Sequence, residues 1–354
     1  MDGENRADFS PAWWLRGAHL QTVWGRLARS RTQVSLRREA LTAPDGDTLI
    51  VDHLDRPAGS GADDAPLLLV LHGLEGSSNS VYVQGLLALA ARAGFRASAL
   101  NFRYCARDAG DLRRCLPNDR PRLYHSGETS DFDFVARTLA ARDGRPLFAA
   151  GVSLGGNVLL KWLGEHPQDA TVTAAATLSV PYDLAAGDLY MASFPANLYV
   201  RGFVKTLTAK AEDLMRRFPE AAERIDLPRA RRAYTFREFD AAATAPLHGF
   251  AGADDYYTRS SCLPFLRRIT TPTLCVSALD DPFLPPEAIR RARDAASSAV
   301  RFVVTDRGGH AGFVGARGLT PVYWAEEAVI AFLARHSRRD DSPGRAAERV
   351  GSLA

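Results

Sequence analysis

Residues 147–157 read Leu-Phe-Ala-Ala-Gly-Val-Ser-Leu-Gly-Gly-Asn. An apolar run meets a serine flanked by small residues and then becomes a helical pattern, with Gly151, Ser153 and Gly155 in the register Gly-x-Ser-x-Gly. A serine on a tight strand-to-helix turn is held in a strained conformation, and its neighbours two positions away must lack bulk for the strand and helix to approach. Its hydroxyl then projects above the sheet edge, the following helix points its N-terminus at it, and the Leu154 N–H is available to a developing oxyanion. Ser153 is the candidate nucleophile. Five-residue patterns also arise in ordinary glycine-rich turns, so the rest of the chain must supply a base and an acid.

Working outward, Pro66–Leu71 is a continuous apolar run, the pattern of a strand buried on both faces. It ends in His72-Gly73-Leu74-Glu75-Gly76, followed by a helical pattern over Ser80–Ala93 and a short strand over Phe95–Phe102. Before it, Thr32–Ala40 and Thr48–Leu54 alternate around Pro44-Asp45-Gly46-Asp47, a hairpin signature. Residues 103–125 are charged and aperiodic, which predicts a long surface excursion near the upper rim of the sheet. Thr129–Arg142 returns to a helical period, carried by Phe132, Val135 and Leu139. A helix over 155–165 and a strand over Thr171–Val180 follow the serine. Strand and helix in alternation imply a mostly parallel sheet with right-handed crossovers.

From Pro181 to Cys262 the pattern is helical and charged, with segments at Ala196–Thr208 and Ala209–Phe218 and no strand candidate. Such an insertion lies over the carboxyl ends of the strands, where ligands bind. Strands return at Thr273–Ala278 and Val300–Thr305, and the closing helix is expected over Pro321–Arg335. The expected organisation is an N-terminal arm (1–31) packed on the domain, an α/β core (32–182 and 263–336), a helical cap (183–262) and a disordered tail (337–354).

The 354 residues are 46% hydrophobic, enough for a sizeable core, and the net charge of +3 gives no case for nucleic acid. Cys105, Cys115, Cys262 and Cys275 show no C-x-x-C pair or metal spacing. Scattered thiols point to a reducing compartment, and the cytoplasm is the expected location. Met1–Ser10 is acidic without an apolar centre, unlike a signal peptide, and no window reaches the ~18–20 apolar residues of a membrane span. Trp13, Trp14, Leu15, Leu20 and Trp24 near Arg16, Arg26 and Arg29 keep a peripheral membrane contact open. Packing of these side chains onto the domain is the favoured reading. Oligomeric state carries no sequence signal.

A nucleophilic serine needs a base, and the base needs an acid to orient it; in an α/β-hydrolase they follow in the order Ser, Asp or Glu, His, each after a later strand. Asp280 and Asp281 follow the strand at Thr273–Ala278, and His310 follows Val300–Thr305 through Asp306-Arg-Gly-Gly309. Asp281 is favoured because Asp-Pro-Phe-Leu-Pro resembles the Asp-x-x-x-Pro turn common at the acid position of this fold, with Asp280 as the alternative. The second oxyanion donor is expected at the Leu74 N–H, after the early buried strand. His72 reads as a turn-stabilising residue, and His19, His53, His166 and His336 as structural or surface residues. No metal or organic cofactor is implied.

Gly-Val-Ser-Leu-Gly-Gly-Asn, His-Gly-Leu-Glu-Gly-Ser-Ser, Tyr124-His-Ser-Gly-Glu-Thr129 and Ala278-Leu-Asp-Asp-Pro-Phe283 together resemble the YheT-like α/β-hydrolases. So do Trp13-Trp14 with His19-Leu-Gln-Thr22, and residues 239–250 with Tyr256-Tyr257. The match runs from Phe9 to about Phe332. It implies a serine hydrolase of the carboxylic-ester type, with eukaryotic relatives that act on acylglycerols and phospholipids or transfer medium-chain acyl groups to alcohols. One departure falls at Asn101-Phe-Arg-Tyr-Cys105, where the family usually has glycine in place of Tyr104 and a shorter run to Tyr124. The expectation is an α/β-hydrolase with a helical cap that cleaves small-molecule or lipid esters of apolar acyl chains through Ser153, His310 and Asp281. Acyl transfer to an alcohol by the same residues, and a non-catalytic binding protein on the same fold, are the alternatives.

Overall fold

The computed structural model describes residues 9–30, 34–55 and 64–340. Helix α1 (Ala18–Leu27) precedes the hairpin of β1 (Leu36–Thr42) and β2 (Thr48–Leu54), whose turn falls on Pro44–Asp47 as its composition demands. Then come β3 (Leu67–Leu71), α2 (Val81–Arg92), β4 (Arg96–Asn101), α3 (Ser130–Asp143), β5 (Leu147–Val152), α4 (Leu154–Glu165) and β6 (Val172–Leu178). A long helical stretch follows. It comprises α5 (Leu184–Met191), α6 (Asn197–Arg217), the short helices α7 (Pro219–Ala222), α8 (Leu227–Arg231), α9 (Phe236–Phe239) and α10 (Ala245–Leu247), and α11 (Ala253–Ser260). The chain then returns through β7 (Thr273–Ala278), α12 (Pro286–Ala295), β8 (Val300–Thr305), the hairpin β9 (Val314–Arg317) and β10 (Thr320–Tyr323), and α13 (Trp324–Asp340).

Eight strands form one sheet in the order β1-β2-β4-β3-β5-β6-β7-β8, with β1 and β2 antiparallel and every pair from β4 to β8 parallel. This is the α/β-hydrolase fold. The continuous apolar runs are explained by the layers on either side. Leu67, Leu69 and Leu71 of β3 enter one core with Phe132, Trp162 and Ile289 from α3, α4 and α12. Leu68 and Val70 enter the other with Leu86 of α2, Phe95 and Val329 of α13. A strand covered on both faces has no polar side to show, so alternation disappears.

Four expectations change. Residues 196–218 hold one continuous helix, α6, in place of two segments. The closing helix begins at Trp324 because residues 314–323 first form the β9–β10 hairpin, and it continues to Asp340, so residues 337–340 are helical where a disordered tail was expected. The rest of that tail, 341–354, lies outside the described residues, as do the first eight residues of the arm. Residues 103–125 hold no helix or strand, yet they are anchored: buried Arg103 bonds Asp47 (2.5 Å) and Asp131 (2.6 Å), and Leu123 and Tyr124 are buried. Of the N-terminal aromatics, Trp14 and Trp24 pack with Ala12, Leu15 and Val314. Trp13 and Leu20 remain 64% and 54% exposed.

Candidate active site

β5 ends at Val152 and α4 starts at Leu154, so the reversal from strand to helix falls on Ser153, at φ 53° and ψ −120°. Positive φ is costly for a residue with a side chain and persists only where its surroundings enforce it. They do so here through glycines: a Cβ on Gly151 would lie 2.6 Å from the Gly155 carbonyl oxygen, and one on Gly155 would lie 2.5 Å from that of His72.

His310 Nε2 lies 2.9 Å from Ser153 Oγ. Its Nδ1 lies 2.9 Å from Asp281 Oδ2 and 3.1 Å from Oδ1. Asp281 is fully buried, and its Oδ1 also accepts the Phe283 N–H at 2.8 Å. A carboxylate facing Nδ1 calls for the proton there, which leaves the Nε2 lone pair toward the serine hydroxyl. Asp280 faces elsewhere, accepting the Gly309 N–H at 2.9 Å and so holding the histidine loop. Burial raises its pKa, opposed by the Gly309 bond and reinforced by the charge of Asp281.

The loop at His72–Gly76 closes the other side. A Cβ on Gly73 would sit 3.2 Å from that of Ser153, closer than side chains ordinarily pack, so glycine eases this approach. The Gly73 N–H donates to the Tyr82 hydroxyl, the Glu75 N–H to the Tyr124 hydroxyl (both 2.8 Å) and the Gly76 N–H to the Gly73 carbonyl. Between them the Leu74 N–H has no partner among the described residues. The Leu154 N–H, in the first turn of α4, has no intrahelical acceptor. Two amides beside one serine can receive negative charge developing on an acyl oxygen. His72 is a strut: its Nε2 accepts the Phe102 N–H and its Nδ1 donates to the Gly73 carbonyl, while burial pushes its pKa down to about 4 and keeps it neutral.

Three groups that sequence reasoning left without a role support this arrangement. Thr22 of α1 accepts the His310 N–H at 2.9 Å, and buried Gln21 bonds both the N–H and the carbonyl of Val314. A Cβ on Gly309 would meet the Ala18 carbonyl at 2.5 Å. The only hint was their place in His19-Leu-Gln-Thr22, which carries no chemistry of its own. Asn157, fully buried, donates to the carbonyls of Ser126 and Ser260 and accepts the Cys262 N–H, joining α4 to the Tyr124–Thr129 segment and to the end of α11. Glu75, at φ 58°, has its carboxylate 2.8 Å from the Tyr124 hydroxyl and 2.5 Å from Nζ of Lys210 on α6. Burial alone would raise the Glu75 pKa, but Lys210 holds it below the usual carboxylate range. Lys210 Nζ also lies 3.3 Å from Cys105, whose thiol burial pushes up to about 12.

Aromatic rings lead away from the imidazole. Phe283 stacks on His310 with centroids 4.2 Å apart, Tyr199 of α6 meets Phe283 at 5.0 Å, and His19 of α1 bonds the Tyr199 hydroxyl at 3.1 Å. Among the described residues, no cluster of three or more His, Cys, Asp or Glu is placed to hold a metal ion, and no helix is long and apolar enough to cross a membrane.

The sequence model of the alpha/beta hydrolase fold matches residues 66–316. YheT of Escherichia coli (strain K12), named as a candidate esterase, is 36% identical over 324 residues, covering 91% of this chain and 92% of that one. Phospholipase ABHD3 of Mus musculus is 31% identical over 310 residues, covering 86% of this chain and 73% of its own. Among solved structures, the Pyrococcus furiosus esterase Pf2001 superposes with a TM-score of 0.54 at 14% identity, over 88% of this chain and 98% of that one, a likeness of fold.

Proposed function

The chain belongs to the YheT-like branch of the α/β-hydrolases, and from that premise we propose that it is a serine esterase that cleaves carboxylic esters of apolar acyl chains through an acyl-enzyme on Ser153. The observation that carries this reading is the bonded series Ser153 Oγ, His310, Asp281, centred on a serine at positive φ. As Ser153 Oγ attacks the ester carbonyl carbon, His310 Nε2 takes its proton, and Asp281 stabilises the resulting imidazolium. The carbonyl oxygen, now negative, is held by the N–H groups of Leu74 and Leu154. Collapse breaks the bond to the alcohol oxygen, which leaves with the proton from Nε2. Water activated by the same imidazole then attacks the acyl carbon and frees the acid and Ser153. No metal or redox group is asked for at any step. Phe283 on the imidazole, with Tyr199 packed against it, favours an apolar acyl chain over a charged one, and the relative named a phospholipase supports lipid esters as a substrate class.

The test is Ser153→Ala on p-nitrophenyl butyrate, with a fluorophosphonate probe alongside. Turnover should drop by roughly 10⁴-fold or more, and the probe should label the wild type at Ser153 alone. Retained turnover, or labelling elsewhere, sinks the reading. Product analysis in the presence of ethanol reports whether water or alcohol accepts the acyl group.

A further inference from the structure

Large apolar side chains left in solvent are not spread evenly over this protein. Of the ten exposed among the described residues, seven fall in two segments, 11–30 and 189–211. On the arm, Trp13, Leu20 and Leu27 are 64%, 54% and 77% exposed. On the helical insertion, Leu189, Phe194 and Leu198 are 77%, 78% and 55% exposed. These segments are far apart in sequence but touch in space: His19, next to Leu20, bonds and stacks on Tyr199, next to Leu198. The same contact continues through Phe283 to the imidazole of His310. The seam between arm and insertion therefore borders the candidate active site.

Within these two segments charge has one sign, and the carboxylates that flank the second, Asp188 and Glu212, are paired with Arg237 and Arg231. Neither segment contains an aspartate or glutamate. Arg16 and Arg26 on the arm, and Arg201 and Lys205 on α6, are exposed, while the remaining cations of these segments, Arg29 and Lys210, are engaged by Glu326 and Glu75. Exposed apolar side chains interspersed along both segments with exposed cations, and with no carboxylate among them, suit a surface that is apolar beneath and anionic above. We propose that the seam docks on an anionic lipid bilayer and draws ester lipids from it toward Ser153. The delivery step rests on the esterase reading; the docking does not.

The experiment uses the full chain carrying Ser153→Ala, which separates binding from turnover. It is sedimented with vesicles of phosphatidylcholine alone and with phosphatidylcholine and phosphatidylglycerol at about 3:1. The anionic vesicles should bind it at least about tenfold more tightly. Adding Leu20→Ser, Phe194→Ser and Leu198→Ser should lower that binding about tenfold or more, and the same three changes in an active background should leave hydrolysis of a water-soluble short ester unchanged. Arg16→Glu with Arg26→Glu, both on exposed side chains, should erase the preference for anionic vesicles; this pair decides the matter if the apolar triple variant does not fold. Equal sedimentation with both vesicle types, or indifference to both sets of changes, overturns the proposal. So does a dimer in light scattering that the triple variant dissociates, because the seam then belongs to a second copy of the chain. A wild type that binds anionic vesicles but turns over no ester removes the esterase reading and leaves the docking intact.

Discussion

Two neighbouring carboxylates part company by what each receives. Asp281 faces the imidazole Nδ1, and Asp280 takes the Gly309 amide one step along the same loop. Asp281→Asn keeps the size of the side chain but turns an acceptor into an amide, so the wrong histidine tautomer is favoured, and kcat should fall by about 10⁴-fold. Asp280→Asn keeps an oxygen acceptor for the Gly309 amide and removes a charge that burial disfavours. Its expected signature is a melting temperature at pH 8 no lower than that of wild type, with kcat within about tenfold. Steady-state kinetics of both variants on one ester checks the pair; equal losses would contradict the assignment. The sequence singled out Asp281 through the proline turn that follows it, because turn chemistry is local and so legible. The Thr22 contact to the His310 amide was not legible, because a threonine on an arm helix signals nothing until the fold brings the two residues together.

At the scale of elements, α6 reaches down to the loop that carries Leu74. Its Lys210, buried against Glu75 and Tyr124, fixes the backbone on one side of the unpartnered Leu74 amide. Lys210→Met should strand the Glu75 charge in the interior at a cost of about 3–5 kcal/mol. Turnover should fall by up to the ~10²–10³-fold typical of a lost oxyanion donor, with KM moving less. The double variant Lys210→Met with Glu75→Gln should recover most of the stability, since no buried charge is left unpaired; urea unfolding of the cycle measures the coupling. A lysine on a charged helix reads in sequence as a solvated face, so this tie was hidden, whereas the helical character of the insertion was plain from its period and its lack of strand patterns. The β9–β10 hairpin escaped for a related reason: Val314–Tyr323 is too short, and too broken by glycine and proline, to show alternation.

For the whole molecule, buried titratable groups set stability against pH. His72 and His125 are each held neutral by burial, with pKa values pushed down to about 4. The unfolded chain takes up these protons near pH 6.5 and the folded one only near pH 4, so stability is full above about 6.5 and falls as the pH drops through that window, by up to roughly 3 kcal/mol per histidine. Asp240, buried beneath the Tyr257 hydroxyl, has a pKa raised by burial to about 7. Its stabilising contribution is present below the ordinary carboxylate pKa near 4 and is lost as the pH rises toward 7. Asp240→Asn should therefore raise the melting temperature at pH 8 and leave it nearly unchanged at pH 4. Thermal scans of both proteins from pH 4 to 8 check both limbs. The mostly parallel sheet followed from alternating apolar runs and helical periods, while its strand order and these burial effects could not be read before the layers were assembled. The grip of α1 on the loop after β8 carries a last consequence, for synthesis. Residues 18–22 leave the ribosome long before their partners Gly309, His310, Gly312 and Val314, the Thr22–His310 pair being separated by 288 positions. The arm must wait unpaired while the sheet folds from β1 to β8. On the esterase reading, a nascent chain that has made Ser153 still lacks its base, His310, and the contact that seats the histidine loop. Unfinished chains should therefore not react with a fluorophosphonate probe.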